Sequence, residues 1–173
     1  MTENTSWYVV YTASRQEKKV AAMLERYHIK YYLPLVKKLR LWSDRKKWVE
    51  MPLFNGYIFV QPKPSERDQV LQILGVVKYL KYNGADAQVS SREIEVIQRL
   101  IEKGYHLESG AAGSLRKGDK VKIEQGPLKG IEAEVLKDAD GGETVWIAFE
   151  TISQVVKVSM QASLLTQHIK HIK

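Results

Sequence analysis

The sequence has no cysteine, and none of its apolar runs approaches the roughly 18 residues of a membrane-spanning helix. Without cysteine the chain has no disulfide, no thiolate nucleophile and no cysteine-ligated zinc site. Its first residues, Met-Thr-Glu-Asn-Thr-Ser, lack the basic start and the apolar core of a signal peptide. These absences lead us to expect a cytoplasmic protein.

The common catalytic motifs are missing as well. The sequence contains no G-x-x-x-x-G-K-[ST] phosphate loop, no G-x-S-x-G nucleophile turn and no H-E-x-x-H zinc motif. Its four histidines are scattered, and the pair His168 and His171 has no third ligand in view. We therefore expect no enzymatic activity, no metal site and no cofactor.

What the sequence has in excess is positive charge, with 27 basic and 20 acidic residues and a net charge of +7. Residues 1–108 carry 18 basic and 12 acidic side chains, whereas residues 115–173 carry 9 and 8. The segment from Arg15 to Lys47 alone has 11 basic residues against Glu17, Glu25 and Asp44. This concentration predicts a polyanionic partner, with a merely solubilising surface as the alternative.

Apolar periodicity predicts the first elements. Residues 7–13, W-Y-V-V-Y-T-A, are aromatic and β-branched and indicate a strand. Ser14 and Glu17 have the spacing of a capping box, which predicts that a helix begins at this point. That helix would carry on one solvent face a basic row suited to a nucleic-acid backbone, made of Arg15, Lys19 and Arg26.

Two more helices are predicted, one opening at Ser65 and one capped by Ser90 and Glu93. Residues 30–60 are expected to be β structure, including a hairpin arm whose tip is Ser43-Asp44. The N-terminal half is therefore of the α+β class, an antiparallel sheet with helices packed on one face.

The segment F-N-G-Y-I-F-V, residues 54–60, places Tyr57 and Phe59 on one face of a strand and Ile58 and Val60 on the other. Helices cover only one face of such a sheet, and alternation does not tell which pair lies beneath them. If the aliphatic pair is the core, the two aromatic side chains form an exposed patch that stacks nucleobases or docks a protein. Otherwise both aromatic rings belong to the core.

Composition changes in the C-terminal half. Residues 108–114, E-S-G-A-A-G-S, have the small-residue composition of a flexible tether, so we expect domains at 1–108 and 115–173 joined by a linker at 109–114. Two alternating apolar runs flank G-P-L-K-G at residues 126–130 and predict a hairpin. Four or five short strands in about 60 residues indicate a small β-barrel.

Together the two halves resemble the NusG-type transcription elongation factors. W-Y-V-V-Y-T-A with the basic helix after it, Y-L-P and P-L-F-N-G-Y-I-F-V are similar to the family's N-terminal domain. G-D-K-V-K-I-E-Q-G-P-L-K-G-I-E-A-E-V is similar to its C-terminal KOW motif. The P-L-F-N-G-Y-I-F-V segment and the arm before it look closer to specialised antiterminators such as RfaH and UpxY. The resemblance implies an SH3-like, five-stranded barrel for the second domain.

The resemblance also implies partners and site residues. The family binds the clamp helices of the largest catalytic subunit of RNA polymerase, by position through Phe54, Tyr57 and Phe59. Specialised members contact the non-template DNA strand, by position through Arg15, Gln16, Lys19 and Arg26. In the family the barrel recruits termination factor Rho or a ribosomal protein, and the resemblance places the KOW turn at Gly126, Pro127, Leu128 and Gly130.

Two hypotheses about function follow. The first is a monomeric elongation and antitermination factor, specific to particular operons, that suppresses pausing and termination by bridging the polymerase clamp. The second is an RNA-binding or ribosome-associated KOW protein that uses the aromatic side chains of its sheet. Salt-dependent binding to RNA alone, without polymerase association, would favour the second.

Overall fold

A computed structural model describes residues 6–111, 119–123, 129–137, 143–160 and 169–171 of the chain. The chain folds into two compact units, Met1–Ile94 and Glu95–Lys173. The division falls inside a helix, and the domain limits predicted from the sequence stay a prediction.

The first unit contains an antiparallel sheet with helices, in agreement with the predicted α+β class. Its elements are β1 (Trp7–Thr12), α1 (Glu17–Arg26), β2 (Tyr31–Tyr32), β3 (Leu35–Leu41), β4 (Lys46–Pro52), β5 (Tyr57–Val60), α2 (Arg67–Gln72), β6 (Val76–Tyr79), β7 (Lys81–Tyr82), β8 (Ala85–Asp86), β9 (Gln88–Val89) and the start of α3 (Ser91–Glu102). The central sheet has the strand order β2-β5-β1-β6, with β9 also paired to β1. All of these pairings are antiparallel. In this order β5 and β1 are the two inner strands and lie side by side.

One face of this sheet forms the hydrophobic core with the helices. Val10 of β1 lies directly opposite Ile58 of β5, and both side chains are fully buried. They pack in one cluster with Val20 and Leu24 of α1 and with Val70 of α2. The two α1 residues are four apart and so present one apolar stripe to the sheet. The aliphatic side chains of β5 therefore lie beneath the helices, which answers the question that alternation left open.

Helix α1 begins without the predicted capping box. Arg15 adopts a φ of +59° before the helix, and Gln16 is the N-cap but makes no side-chain capping hydrogen bond. The Glu17 side chain is buried, and its Oε1 accepts a 2.7 Å hydrogen bond from the backbone N–H of Gly56. The prediction of a capping box at Ser14 is wrong because the carboxylate is used in this long-range contact instead.

Gly56 occupies a position that requires glycine. Its φ is +81°, and a Cβ added there would lie 3.0 Å from Cε2 of Tyr11. Its carbonyl oxygen accepts a 2.8 Å hydrogen bond from the N–H of Thr12. With the Glu17 contact, this residue joins the start of α1, the end of β1 and the start of β5.

The third helix begins as predicted. The N–H of Ser90 donates to Oε2 of Glu93 at 2.8 Å, and the N–H of Glu93 donates to Oγ of Ser90 at 3.2 Å, which is a reciprocal capping box. The second helix is shorter than predicted, because a 3-10 turn at Pro64–Glu66 precedes Arg67.

Strands β3 and β4 form a separate two-stranded sheet, which confirms the predicted hairpin arm. We call residues 35–52 the arm. At its tip, the N–H of Trp42 donates to the carbonyl of Arg45 at 2.8 Å. At its base, Nζ of Lys18 in α1 donates to the carbonyl of Glu50 at 2.8 Å. The arm is therefore anchored to the helix that carries the predicted basic row.

The second unit contains an antiparallel sheet of six described strands. They are β10 (His106–Ala111), β11 (Asp119–Ile123), β12 (Glu132–Lys137), β13 (Glu143–Phe149), β14 (Gln154–Met160) and β15 (Ile169–His171). Their order is β10-β14-β13-β12-β11-β15, and Val145, Ile147, Val156 and Val158 are among their buried side chains. This strand order does not confirm the predicted five-stranded barrel, which stays a prediction.

The hairpin predicted around the G-P-L-K-G turn is present, since Val121 of β11 lies opposite Ala133 of β12. Gly130 has a φ of +83° and donates its N–H to the carbonyl of Ile123. Gly126, Pro127 and Leu128, the rest of the predicted KOW turn, lie outside the described residues.

The linker predicted at residues 109–114 is not confirmed. Ser109, Gly110 and Ala111 lie in β10 and pair with residues 156, 155 and 154 of β14. Residues 112–114 lie outside the described residues. Small side chains do not prevent strand pairing, because the ladder is formed by backbone groups, and residues 109–111 pair in this way.

Replacing Glu17 tests how far the fold depends on its contact with Gly56. Glu17→Ala leaves a buried N–H without an acceptor, so we expect the free energy of unfolding to fall by about 1–3 kcal/mol. Glu17→Gln keeps a carbonyl oxygen in nearly the same place and should lose less. Urea denaturation of both variants measures this, and equal losses would contradict the role of the hydrogen bond.

Candidate functional site

The second face of the central sheet is lined by aromatic side chains. Tyr11 of β1 lies opposite Tyr57 of β5, and the next pair on this face is Val9 opposite Phe59. The ring of Phe59 stacks on that of Tyr32 with centroids 6.3 Å apart. It also meets the ring of Phe54 edge to face at 6.0 Å. The face is thus an aromatic layer rather than a polar surface.

Only part of this layer reaches solvent. Phe54 is 1% exposed and Phe59 is 0% exposed, whereas Tyr57 is half-buried. The expectation that Tyr57 and Phe59 form an exposed aromatic patch is therefore wrong for Phe59. Phe54, which only the family resemblance assigned to the docking surface, is buried as well. The physical reason is that the rings of Tyr32 and Phe54 cover Phe59, so the second face is not left bare at this position.

Tyr11 and Tyr57, the tyrosine pair, are the members of the layer that approach the surface. Their ring centroids are 5.8 Å apart with a 57° angle between the planes, and Tyr11 is 40% exposed. Burial raises the pKa of the Tyr57 hydroxyl, and the nearby Tyr11 raises it further. Tyr57 therefore stays neutral near pH 7 and can donate a hydrogen bond from an otherwise apolar surface.

Sequence reasoning missed Tyr11 as a site residue. The alternation in W-Y-V-V-Y-T does place Tyr11 on the same strand face as Trp7 and Val9. What the sequence lacked was the pairing of β1 with β5, which brings Tyr11 beside Tyr57.

Burial also bears on the hypothesis that the sheet stacks nucleobases. Stacking needs an aromatic ring face that a base can reach. Phe59 offers no such face, because its ring is fully buried. Of the two aromatic residues proposed for stacking on β5, only Tyr57 remains accessible.

The predicted basic row is partly reproduced. Lys19 and Arg26 are exposed on α1 and lie seven residues apart, on the same side of the helix. Arg15 is exposed but lies in the turn before the helix, so it joins the row by proximity in sequence rather than by helical spacing. Gln16 is half-buried at the N-cap, and its Cβ lies 3.0 Å from the place that a Cβ on Gly75 would take.

The arm is a second surface that sequence reasoning did not include among the site residues. Trp42 and Trp48, which flank its tip, are 59% and 64% exposed. The signal was present in the sequence as two tryptophans within a basic run, in L-R-L-W-S-D-R-K-K-W.

Other kinds of site find no support in the described part of the chain. Among those residues, no group of three or more His, Asp or Glu side chains is placed to hold a metal ion. None of the helices described there is long and apolar enough to cross a membrane.

The first unit is an α+β fold in which α1 and α2 cover one face of an antiparallel sheet and an aromatic layer lines the other. Comparison with known families makes this specific: residues 5–98 match the model of the NusG family, described as transcription termination factor nusG. Since the match spans more than half of the chain, this protein belongs to the NusG family, a non-enzymatic family of transcription factors.

A solved structure of a NusG protein agrees with this fold. A structure of Thermotoga maritima NusG, concerned with domain interaction, matches with a TM-score of 0.55 and 24% identity over 97% of both chains. The MjSpt4:Spt5 complex matches in conformation A with a TM-score of 0.28 and 17% identity, over 96% of this chain and 98% of that chain. Conformation B gives 0.30 and 18%, over 96% and 97%.

Phe59 and Tyr57 lie on the same strand but differ in burial, so their truncation should lower the stability of the protein by different amounts. Phe59→Ala opens a cavity in a fully buried layer, so we expect it to cost about 3–5 kcal/mol of the free energy of unfolding. Tyr57→Ala removes a half-buried ring at the surface and should cost clearly less. Chemical denaturation of both variants tests this, and equal losses would show that Tyr57 is as much a core residue as Phe59.

Proposed function

We propose that this protein is a transcription elongation factor that binds RNA polymerase through the surface around the tyrosine pair. The observation that carries the proposal is the pair itself, two adjacent tyrosine rings at the edge of a buried aromatic layer in a chain of the NusG family. Tyrosine is enriched in protein interfaces because it combines a large apolar ring with a hydrogen-bonding hydroxyl.

The proposed partner surface is the clamp helices of the largest catalytic subunit. Tyr57 and Tyr11 would make the direct contact, whereas Phe54 and Phe59 belong to the buried part of the aromatic layer. Phe59 lies two residues from Tyr57 on the same face of β5, so the contact residues adjoin this packed layer. A rigid layer beside the contact residues lowers the conformational entropy cost of binding, which favours affinity.

Binding would act on transcription by shifting a conformational equilibrium. If the protein binds the closed clamp better than the open clamp that accompanies pausing, it raises the population of the closed state by its difference in affinity. Pausing and termination would then be suppressed without any chemical step by this chain. We propose that this activity serves particular operons in the cytoplasm, as in the RfaH and UpxY type, and that the protein acts as a monomer.

The basic row would contact the non-template DNA strand. Lys19 and Arg26 extend from α1 into solvent, and Arg15 lies at the same end of the helix as Lys19. Their positive charge suits phosphates. The second unit would recruit Rho or a ribosomal protein, and its hairpin with Gly130 at the turn is the element proposed for this contact.

Removing the proposed contact ring should weaken polymerase binding while the protein stays folded. Aromatic anchors commonly cost at least about 2 kcal/mol on truncation, or roughly thirtyfold in affinity. We expect a loss of this size for Tyr57→Ala and a similar direction for Tyr11→Ala, measured by titration against core RNA polymerase. Tyr82→Ala is the matched control, since Tyr82 is 39% exposed on the separate β7–β8 hairpin. Equal affinities for all three variants would contradict the proposed site.

Neutralising the basic row should act only where unpaired DNA is present. Arg15→Asn tolerates the positive φ at that position, and Lys19→Gln preserves the helix. We expect the double variant to bind a paused transcription complex more weakly, with a smaller effect on DNA-free polymerase. The control variant Lys63→Gln with Lys103→Gln removes the same charge at two exposed lysines that belong neither to the row nor to the tyrosine pair. If both affinities of the double variant fall by the same factor, the row does not read the non-template strand.

A further inference from the structure

The arm concentrates exposed apolar side chains that have no role in the core. Leu41 is 72% exposed, Trp48 64%, Trp42 59% and Leu39 45%. Side chains exposed in this way do little to stabilise a two-stranded ribbon, and a contiguous apolar surface in water usually marks a place where a partner binds. These four side chains therefore indicate a binding surface.

The strand register shows that three of the four share one face. Leu39 lies directly opposite Trp48, and Leu41 opposite Lys46. Side chains opposite one another in an antiparallel pair point to the same side, as do residues two apart along a strand. Leu39, Leu41 and Trp48 thus form one continuous apolar strip, with Trp42 following at the tip of the arm.

Positive charge surrounds this strip. The arm contains two carboxylates, Asp44 and Glu50, against six cations, which are Lys37, Lys38, Arg40, Arg45, Lys46 and Lys47. Among the ion pairs found in residues 6–111, none involves a cation of the arm. The guanidinium of Arg40 instead contacts Sδ of Met51 at 3.4 Å. These charges are therefore available to a polyanion.

We propose that the arm binds a single-stranded nucleic acid, with unpaired bases stacked on Trp48 and Trp42 and phosphates held by the surrounding cations. Aromatic side chains beside a cationic track are the arrangement by which proteins bind single strands without reading their sequence. A depression of about 470 Å³ beside Trp48 is lined by Lys37, Val49 and Glu50. Because Lys37 and Glu50 offset each other's charge there, the exposed ring of Trp48 is the main feature that this depression offers to a base.

The distribution of charge distinguishes this occupant from a membrane surface. Interfacial segments segregate apolar and cationic side chains on opposite faces. Here Lys46 lies on the same face as Trp48, while Arg40 and Lys47 lie opposite each other on the other face. Cations on both faces suit a flexible strand that wraps around a narrow ribbon.

Binding of the full chain to oligonucleotides tests the proposal without polymerase, so its outcome is independent of the proposed elongation function. The probes are a mixed-sequence DNA strand of about 12 nucleotides, within the site sizes of single-strand binders, and its blunt duplex. We expect tryptophan fluorescence to be quenched by the single strand, which should also bind more tightly than the duplex, because only unpaired bases can stack.

Variants separate stacking from charge. Trp48→Ala should weaken single-strand binding by at least about fivefold, with no change in the salt dependence of affinity. Trp48→Phe keeps a ring for stacking and should retain most of the affinity. Arg40→Gln with Lys47→Gln should reduce the slope of log affinity against log salt by about 0.7 for each phosphate that is no longer neutralised. Lys63→Gln with Lys103→Gln, the charge-matched control, should leave this slope unchanged.

Three results would overturn the proposal. Equal or tighter binding of the duplex, with Trp48→Ala neutral, would identify a general polyanion surface without stacking. Binding to vesicles of anionic phospholipid in preference to the single strand would identify a membrane surface. Absence of binding by the folded wild-type chain at low salt would leave the arm without this function. Because Trp42 and Trp48 are more than half exposed, their replacement is not expected to unfold the protein.

Discussion

The hydrogen bond from Gly56 to the buried carboxylate of Glu17 is the contact on which the arrangement of the first unit depends. It ties the first turn of α1 to the residue before β5, while the carbonyl of Gly56 accepts a hydrogen bond from the end of β1. Glycine is required there because of its positive φ and because the ring of Tyr11 lies where a side chain would be. One position thereby sets the helix start, the entry into the central strand and the place of Tyr11 beside Tyr57.

From this arrangement follows a sheet whose two faces have different uses. The face with Val10 and Ile58 is covered by α1 and α2, and together they form a hydrophobic core of the unit. The other face is an aromatic layer that is buried at Phe59 and reaches solvent at Tyr11 and Tyr57. A surface of this kind combines two partly exposed tyrosine rings with a buried aromatic layer beside them, which suits a docking site. The arm and the basic row extend from the same unit, connected by the hydrogen bond from Lys18 to Glu50.

Much of the fold could be predicted from the sequence because local signals agree with tertiary contacts there. The strand at residues 7–12, the arm with its tip near Ser43, and the capping box of Ser90 and Glu93 follow from patterns that involve only near neighbours. The signals failed where a distant contact competed with the local one. Glu17 has capping-box spacing but bonds to Gly56, 39 residues away. The alternation around Tyr57 likewise defined two strand faces, but it did not show that Tyr32 and Phe54 would pack against Phe59. The small residues of β10 did not indicate that this segment would pair with β14.

The central claim is that the surface around Tyr57 meets the polymerase. Site-specific photo-crosslinking tests this most directly, with a photoreactive amino acid in place of Tyr57 and, in a second variant, in place of Tyr82. Each variant is bound to a purified elongation complex, irradiated, and the crosslinked polymerase subunit is identified by mass spectrometry. We predict a crosslink from position 57 to the largest catalytic subunit and none from position 82. A crosslink from position 82 with none from position 57, or a bound complex that gives no crosslink from either, would contradict the claim.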